Sequence, residues 1–499
     1  MIRRTARLLA SACLALASAA TFAQSPPAAP PLAVSPGSTP SNVSPGKEDA
    51  SNMRLVGYEQ LQGRNAYQPT IVKQGNRYIA YIGHHGGKGV NPATGQVEAN
   101  GTSIVDVTDP TKPKYLVHLP GQEGVGESGG AQMTRICTGM QLPHADKSKT
   151  YLLRAVGQLE HEIWDVTVPE KPAMLTKIGL GTITDTHKNW WECGSGIAYL
   201  VTGGEGWHTR RMLKVWDLSD PAHPKFIRDF GLVGQEPTAP DNKEAHRYDL
   251  HGPIPVPDRN RVYMGFGNYV NGVVQVLDRE KLLHGNPAVA NPLAPTPENL
   301  TYPIITTLYT PPNMGAHTAL PILGVEVPDM LKGTDGKTRD FVAITGESIK
   351  ENCEEGRQMM YMVDITTETR PFGVSNFNVP NGNDFCQRGG RFGTHSINEN
   401  QIPMYAKRLL FVTWFSAGVR VIDIRNPFAP AEVGHYIPAL NERVRPRCTK
   451  VDGVDNCKTV IQTNNAEVDE RGYIYIVDRV GAGLHILELT GAAKAVAKL

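Results

Sequence analysis

The sequence offers little to nucleic acid, membranes or nucleotide chemistry. Lysine and arginine number 50 against 49 aspartates and glutamates, so no basic face for nucleic acid is implied. Beyond the N-terminus no stretch approaches the roughly 20 apolar residues of a membrane span. There is no Walker motif, no dinucleotide glycine fingerprint and no H-E-x-x-H. Cysteine is sparse, with seven residues and no C-x-x-C, which argues against a thiolate metal site.

Turn residues, in contrast, are abundant. Glycine (50) and proline (38) together make up about 18% of 499 residues, against an average of about 12%. With 40% hydrophobic residues, the chain reads as globular and all-β, because many short strands need many turns.

The first 23 residues read as a signal peptide. Arg3, Arg4 and Arg7 precede an apolar run from Leu8 to Ala20, and small residues flank Phe22 at Thr21 and Ala23. The expected location is the periplasm or the exterior. Residues 24–52, rich in proline, serine and alanine, read as a disordered linker. Six cysteines then remain, and an oxidising compartment favours disulfides. Cys448 with Cys457 closes a short polar loop. Adjacency suggests Cys353 with Cys386 and Cys137 with Cys193.

The chain repeats itself. SIVDVTDPTKPKYLVHLPG (103–121), EIWDVTVPEKPAMLTKIG (162–179) and KVWDLSDPAHPKFIRDFG (214–231) align with VQVLDREKLL (274–283), YMVDITTETRPFGVSNFNVP (361–380), RVIDIRNPFAPAEVGHYIP (420–438) and HILELTG (485–491). Asp106, Asp165, Asp217, Asp278, Asp364 and Asp423, with Glu488 last, recur at spacings of 59, 52, 61, 86, 59 and 65. Each copy reads as four short antiparallel strands, which is a propeller blade. The aspartates are expected to fix turns through side-chain-to-backbone bonds. The seventh copy stops after three strands, and 54–63 resembles a fourth. The expectation is a seven-bladed β-propeller over 53–491, its last blade closed by the N-terminal strand, with a tail at 492–499.

IVDVTDPTKP, VWDLSDPAHP and VIDIRNPFAP resemble the LVIVD-repeat family of secreted bacterial β-propellers. That resemblance covers nearly the whole mature chain and implies a fold and export, not a reaction. A looser similarity extends to selenium-binding-type propellers, some of which are periplasmic copper-dependent methanethiol oxidases. No residue-by-residue match to their sites is present.

Four copies place a histidine at the entry to the first strand: His187, His251, His317 and His395, separated by 64, 66 and 78 residues. Gln68 and Asn464 take the equivalent places in copies one and seven. These imidazoles point to one end of the channel, where they suit copper, zinc or iron. The competing reading is structural, with each histidine hydrogen-bonding the neighbouring blade. The loops joining strands two and three add His84 and His85, Glu160 and His161, Trp207 and His208, Tyr269, Trp414 with Phe415, and Arg479. His84 and His85 are the strongest of these as further ligands. His208, Trp207, Tyr269, Trp414 and Arg479 are candidate walls of a substrate pocket. Gly126-Glu127-Ser128-Gly129-Gly130 fits G-x-S-x-G, but no helix follows and a flexible loop is expected. Glu467 is a candidate channel carboxylate.

Two functions stay open. One is a metal-dependent oxidoreductase acting on a small molecule. The other is a non-catalytic scaffold for a protein or cell-envelope partner.

Overall fold

The computed structural model describes residues 46–240, 248–268, 271–327, 338–356, 358–379, 385–451 and 453–497. The expected signal peptide and most of the expected linker lie outside the described residues, as does Tyr269.

Seven four-stranded antiparallel sheets make a seven-bladed β-propeller. Blade one runs outward through Ala66–Gln74, Arg77–Gly86, Gly101–Asp106 and Lys114–Pro120. Blades two to five repeat this order over 134–178, 189–230, 250–309 and 318–377. Blade six contains Leu409–Thr413, Val419–Asp423 and Ala431–Ile437. Its inner edge is the segment 395–398, where the His395 N–H donates to the Thr413 carbonyl at 3.0 Å. Blade seven contains Thr463–Val468, Ile474–Asp478 and Leu484–Leu489, with Met53–Glu59 as its outer strand.

Middle strands such as Leu409–Thr413 are buried along their whole length because a blade is covered on both faces by its neighbours. The cores therefore lie between blades. Tyr475, Val477, Leu484 and Ile486 of blade seven pack with Ala66, Ala80 and Ile82 of blade one, which closes the ring. The insertion in blade four carries two short helices, Arg279–His284 and Pro297–Thr301, between its third and fourth strands.

The repeat aspartates explain the regular turns. Five of the six accept a backbone N–H two residues on: Asp106 from Thr108 at 2.9 Å, Asp165 from Thr167 at 3.0 Å, Asp217 from Ser219 at 2.9 Å, Asp364 from Thr366 at 2.9 Å and Asp423 from Arg425 at 3.0 Å. Asp278 instead caps the helix that follows it, accepting from the Lys281 N–H at 3.0 Å.

Both ends of the ring differ from the expected boundaries. Asp49–Ser51, within the expected linker, pairs with Ala431–Ile437 as the outer strand of blade six. The expected tail forms a helix, Gly491–Ala497. Its Ala493, Val496 and Ala497 fall on one helical face and are buried against blades six and seven.

Three disulfides link Cys137 to Cys193, Cys353 to Cys386 and Cys448 to Cys457. The first ties the inner edges of blades two and three. The last crosslinks a hairpin, Arg447–Val451 with Val454–Lys458, whose Thr449 hydroxyl accepts from the Asn352 amide at 3.3 Å. Such bonds fit an extracellular or periplasmic protein. Among the described residues no helix is long and apolar enough to cross a membrane.

Candidate metal centre

The inner strands deliver His187, His251, His317 and His395 to one end of the channel, in four successive blades. All four are buried. Neighbouring rings touch in sequence, with centroids 4.8 Å apart for His187 and His251, 3.3 Å for His251 and His317, and 4.5 Å for His317 and His395. Tyr67 of blade one closes the cluster. Its hydroxyl lies 3.3 Å from His187 Nε2 and 3.4 Å from His251 Nε2, and its ring meets His85 at 4.8 Å.

Hydrogen bonds set the tautomers. His395 Nδ1 donates to the Asn464 carbonyl at 2.7 Å, which leaves the Nε2 lone pair free. His317 Nδ1 meets the Thr318 hydroxyl at 3.0 Å, and its buried Nε2 has no hydrogen-bond partner. Those two Nε2 atoms flank one carboxylate, Glu347, at 4.0 Å from His317 and 3.8 Å from His395. His317, Glu347 and His395 each offer a ligand atom within 4.8 Å of the others, and all three are buried. His251 Nδ1 and His85 Nε2 are further buried nitrogens without partners. Two imidazoles, one carboxylate and spare nitrogen lone pairs fit a divalent transition metal.

Electrostatics favour ligand-ready imidazoles. Burial holds all four histidines well below the ordinary value, and charged neighbours add to this: Arg211 for His187, His187 and Lys188 for His251, His251 and His395 for His317, and Arg479 for His395. Burial raises the Glu347 carboxyl, against the pull of Arg391 and Arg479. Both guanidiniums reach Glu347 Oε1, at 3.0 and 3.4 Å, and the Asn268 amide donates to Oε2 at 3.2 Å. Burial, then Arg391, pushes Arg479 down to about 10.

Deeper in the channel sits a second charged group. Glu399 bridges Lys188 and Arg135. Glu467 accepts from the Gln68 amide at 2.8 Å and is raised to about 7, by burial first and by Glu399 second.

The loop residues sort unevenly. Arg479 and His85 lie at the centre. His84 turns away, with Nε2 2.8 Å from the Ser103 hydroxyl, which itself lies 3.3 Å from His118 Nδ1. His161 is buried in blade two with both ring nitrogens unpartnered. Trp207 packs into the core between blades three and four with Met212, Phe230 and Leu250. Trp414 is fully buried and meets Phe377 edge-on. These two indoles are interblade packing rather than pocket walls. His208 lies in the blade-three loop, its N–H on the Gln235 carbonyl at 2.8 Å. Besides Tyr67, the aromatic at the centre is Phe415, its ring tilted against His395 with centroids 5.0 Å apart. The segment expected as a flexible loop is instead a strand, Gly126–Ala131, paired with the end of Arg77–Gly86, and the Ser128 hydroxyl donates to the nearby Val125 carbonyl at 2.7 Å. Its neighbour Glu127 accepts from Arg211 at 2.9 Å. Burial opposes the Glu127 charge, but Arg211, His85 and Arg210 together hold its carboxyl below the usual range.

Sequence reasoning missed Glu347, Arg391 and Tyr67. Glu347 follows the second strand of blade five, Thr338–Thr345, in the same kind of loop that supplies His85 and Arg479. That shared loop position was the available signal.

With this geometry in place, residues 409–437 match the LVIVD repeat family. The chain carries an LVIVD repeat. Those residues are the three strands of blade six, so the repeat unit coincides with a blade. No curated protein matches the sequence. Among solved structures, the chain is similar to the Cps50 (Swd1) β-propeller domain of Myceliophteria thermophila, at 9% identity and TM-score 0.47, covering 89% of this chain and 100% of that one. It is also similar to Kuenenia stuttgartiensis hydrazine synthase, at 10% identity and TM-score 0.45, covering 86% and 96%. A periplasmic gluconolactonase of Pseudomonas aeruginosa matches at 10% identity and TM-score 0.40, covering 72% and 86%.

Proposed function

We propose that this is an exported metalloprotein whose channel mouth holds copper, zinc or iron on His317, His395 and Glu347, and that it is an oxidoreductase acting on a small molecule. One observation carries the reading: two imidazoles and a carboxylate, all buried, with ligand atoms within 4.8 Å of one another. Unpartnered buried nitrogens cost free energy unless something accepts from or binds to them, and His317 Nε2 is one. The three disulfides and the N-terminal apolar run support export.

Copper or iron bound here would supply one-electron chemistry, and zinc a Lewis acid. The chain's own residues do the rest. The Asn464 carbonyl and Thr318 hydroxyl orient two rings. Arg391, Arg479 and Asn268 fix the carboxylate. The Tyr67 hydroxyl stays protonated, because burial and then Glu347 hold it well above the ordinary phenol value. It is placed to give or accept a hydrogen bond between His187 and His251.

Elemental analysis of untagged protein from its native compartment tests the proposal, beside His317→Ala and Glu347→Gln variants with unchanged circular dichroism. About one copper, zinc or iron per chain is expected, lost in both variants. Native protein without metal that also takes up none of the three ions at equimolar concentration overturns the reading. The ring would then stand as a rigid platform for an envelope partner.

A further inference from the structure

Above the histidines the channel mouth brings two guanidiniums onto one aromatic ring. Arg391 arrives from the loop between blades five and six, and Arg479 from blade seven. Both lie over the Phe415 ring, at 5.5 and 5.6 Å from its centroid, and both use the same carboxylate oxygen of Glu347. That one oxygen leaves much donor capacity unused. Among the described residues the Arg479 guanidinium makes a single hydrogen bond, the one to Glu347. Arg391 adds a 3.4 Å bond to the Ser348 carbonyl, but its Nε is buried without a partner. A guanidinium presents five N–H donors in a planar fork. Their side chains are 17% and 9% exposed, so both are largely buried and keep only a narrow contact with solvent.

The support beneath them is built under strain. Phe415 has φ of +39°, which a bulky side chain rarely adopts. The turn is held by the Gly418 N–H on the Phe415 carbonyl at 3.1 Å and by the Thr463 N–H on the same carbonyl at 3.1 Å. The strained conformation sets the ring between His395 and the two cations. Around this mouth the guanidiniums of Arg211, Arg391 and Arg479 face the carboxylates of Glu127 and Glu347.

We infer that the mouth binds a small anion with two acceptor oxygens on one centre, gripped by Arg391 and Arg479 over Phe415 beside the histidine–glutamate group. A carboxylate and an oxyanion of sulfur or phosphorus share this chemistry, and the forked guanidinium is suited to both. The inference rests on the proposed metal reading only for what the anion's role would be, namely the charged end of the substrate. The binding geometry belongs to the arginines.

Titration calorimetry with sodium sulfate and with sodium acetate tests it, at constant ionic strength set by sodium chloride, on metal-stripped and metal-reloaded full-length protein. Saturable binding of one of the two anions is expected, and which one binds distinguishes the oxyanion from the carboxylate. Arg479→Gln and Arg391→Gln should each weaken it at least tenfold. Arg479→Lys keeps the charge, guards against misfolding, and should bind with intermediate affinity. Absence of saturable binding to either anion by the parent protein overturns the inference, as does equal binding by the parent and a folded arginine variant. Arginine-dependent anion binding in a protein that takes up no metal would uphold this inference and sink the metal reading. Metal uptake without anion binding would do the reverse.

Discussion

His187 and His251 face each other Nε2 to Nε2 at 3.0 Å. A hydrogen bond at that distance needs one donor and one acceptor. The other His187 nitrogen, Nδ1, lies 3.2 Å from the Gln132 side-chain oxygen and so carries a proton. His187 Nε2 is then the acceptor and His251 Nε2 the donor, which leaves His251 Nδ1 a bare lone pair. Long-range nitrogen NMR at pH 7 should find His187 as the Nδ1–H tautomer and His251 as the Nε2–H tautomer in the metal-free protein. Two Nε2–H rings would refute this arrangement. Tyr67→Phe, which removes the hydroxyl shared by both nitrogens, should shift both resonances and leave His161 unmoved.

Ligand binding to the folded state alone adds RT ln(1 + [L]/Kd) to stability, about 2.7 kcal/mol at a hundredfold excess over Kd. Metal-stripped protein should therefore melt a few degrees lower than reloaded protein. His317→Ala should abolish that difference. Retention of the full shift in the variant would place the metal elsewhere.

Acid should destabilise the fold through histidines far from the proposed metal. Burial lowers His118 and His161 to about 3 and His485 to about 4. Unfolded histidines titrate near 6.5. Above that pH neither state is charged and stability is intact. As pH falls from about 6.5 toward 3–4, the unfolded chain takes up protons that the folded chain refuses. Each histidine then removes about 1.4 kcal/mol per pH unit. His161→Leu should flatten this acid limb, because neither His161 nitrogen has a hydrogen-bond partner to lose. An unchanged slope would show that His161 is protonated in the folded state.

Glu467 works with the opposite sign. Its folded value of about 7 lies above the usual carboxylate, so it favours the folded state at low pH and costs stability as pH rises from about 4.5 through 7. Glu467→Gln should raise the melting temperature at pH 8 more than at pH 5. The same change at both pH values would contradict the raised value.

The disulfides should differ in weight. Chain-entropy arguments give roughly 4 kcal/mol for the bond between Cys137 and Cys193, at separation 56, and roughly 3 kcal/mol for Cys448 with Cys457, at separation 9. Replacing the first pair by serine should lower the melting temperature more than replacing the second. The reverse order would mean that the Cys448–Cys457 hairpin carries more of the fold than its loop length implies.

The blades were legible because five of them carry a turn-fixing aspartate in one register, at Asp106, Asp165, Asp217, Asp364 and Asp423, and the chemistry of that turn is local. Of the cysteine pairings, Cys448 with Cys457 followed from closure of a short polar loop and the other two from adjacency along the chain. The histidine ring was visible as a spacing near the repeat length. Other parts of the site were not legible, because they depend on which way a side chain leaves its strand. Gln68 was placed at the ring, but in a strand neighbours point oppositely, and it is Tyr67 that touches His187 and His251. Trp207 and Trp414 sit in the right loops yet turn inward, since the adjacent blade offers a large indole more apolar contact than the mouth does. Glu347 has neither an aromatic nor a histidine neighbour to mark it. Its role appears only when blades five, six and seven converge.

The pairing of Met53–Glu59 with Leu484–Leu489, beside that of Asp49–Ser51 with Ala431–Ile437, ties the start of the ring to the two blades made last. These two strands wait for more than 370 residues before their partners exist, and until then they are open edges able to pair with other chains. Contacts of such sequence separation form slowly. Completion of this molecule is thus a single late event, and a nascent chain interrupted anywhere before its final strand is an aggregation hazard rather than a smaller folded protein.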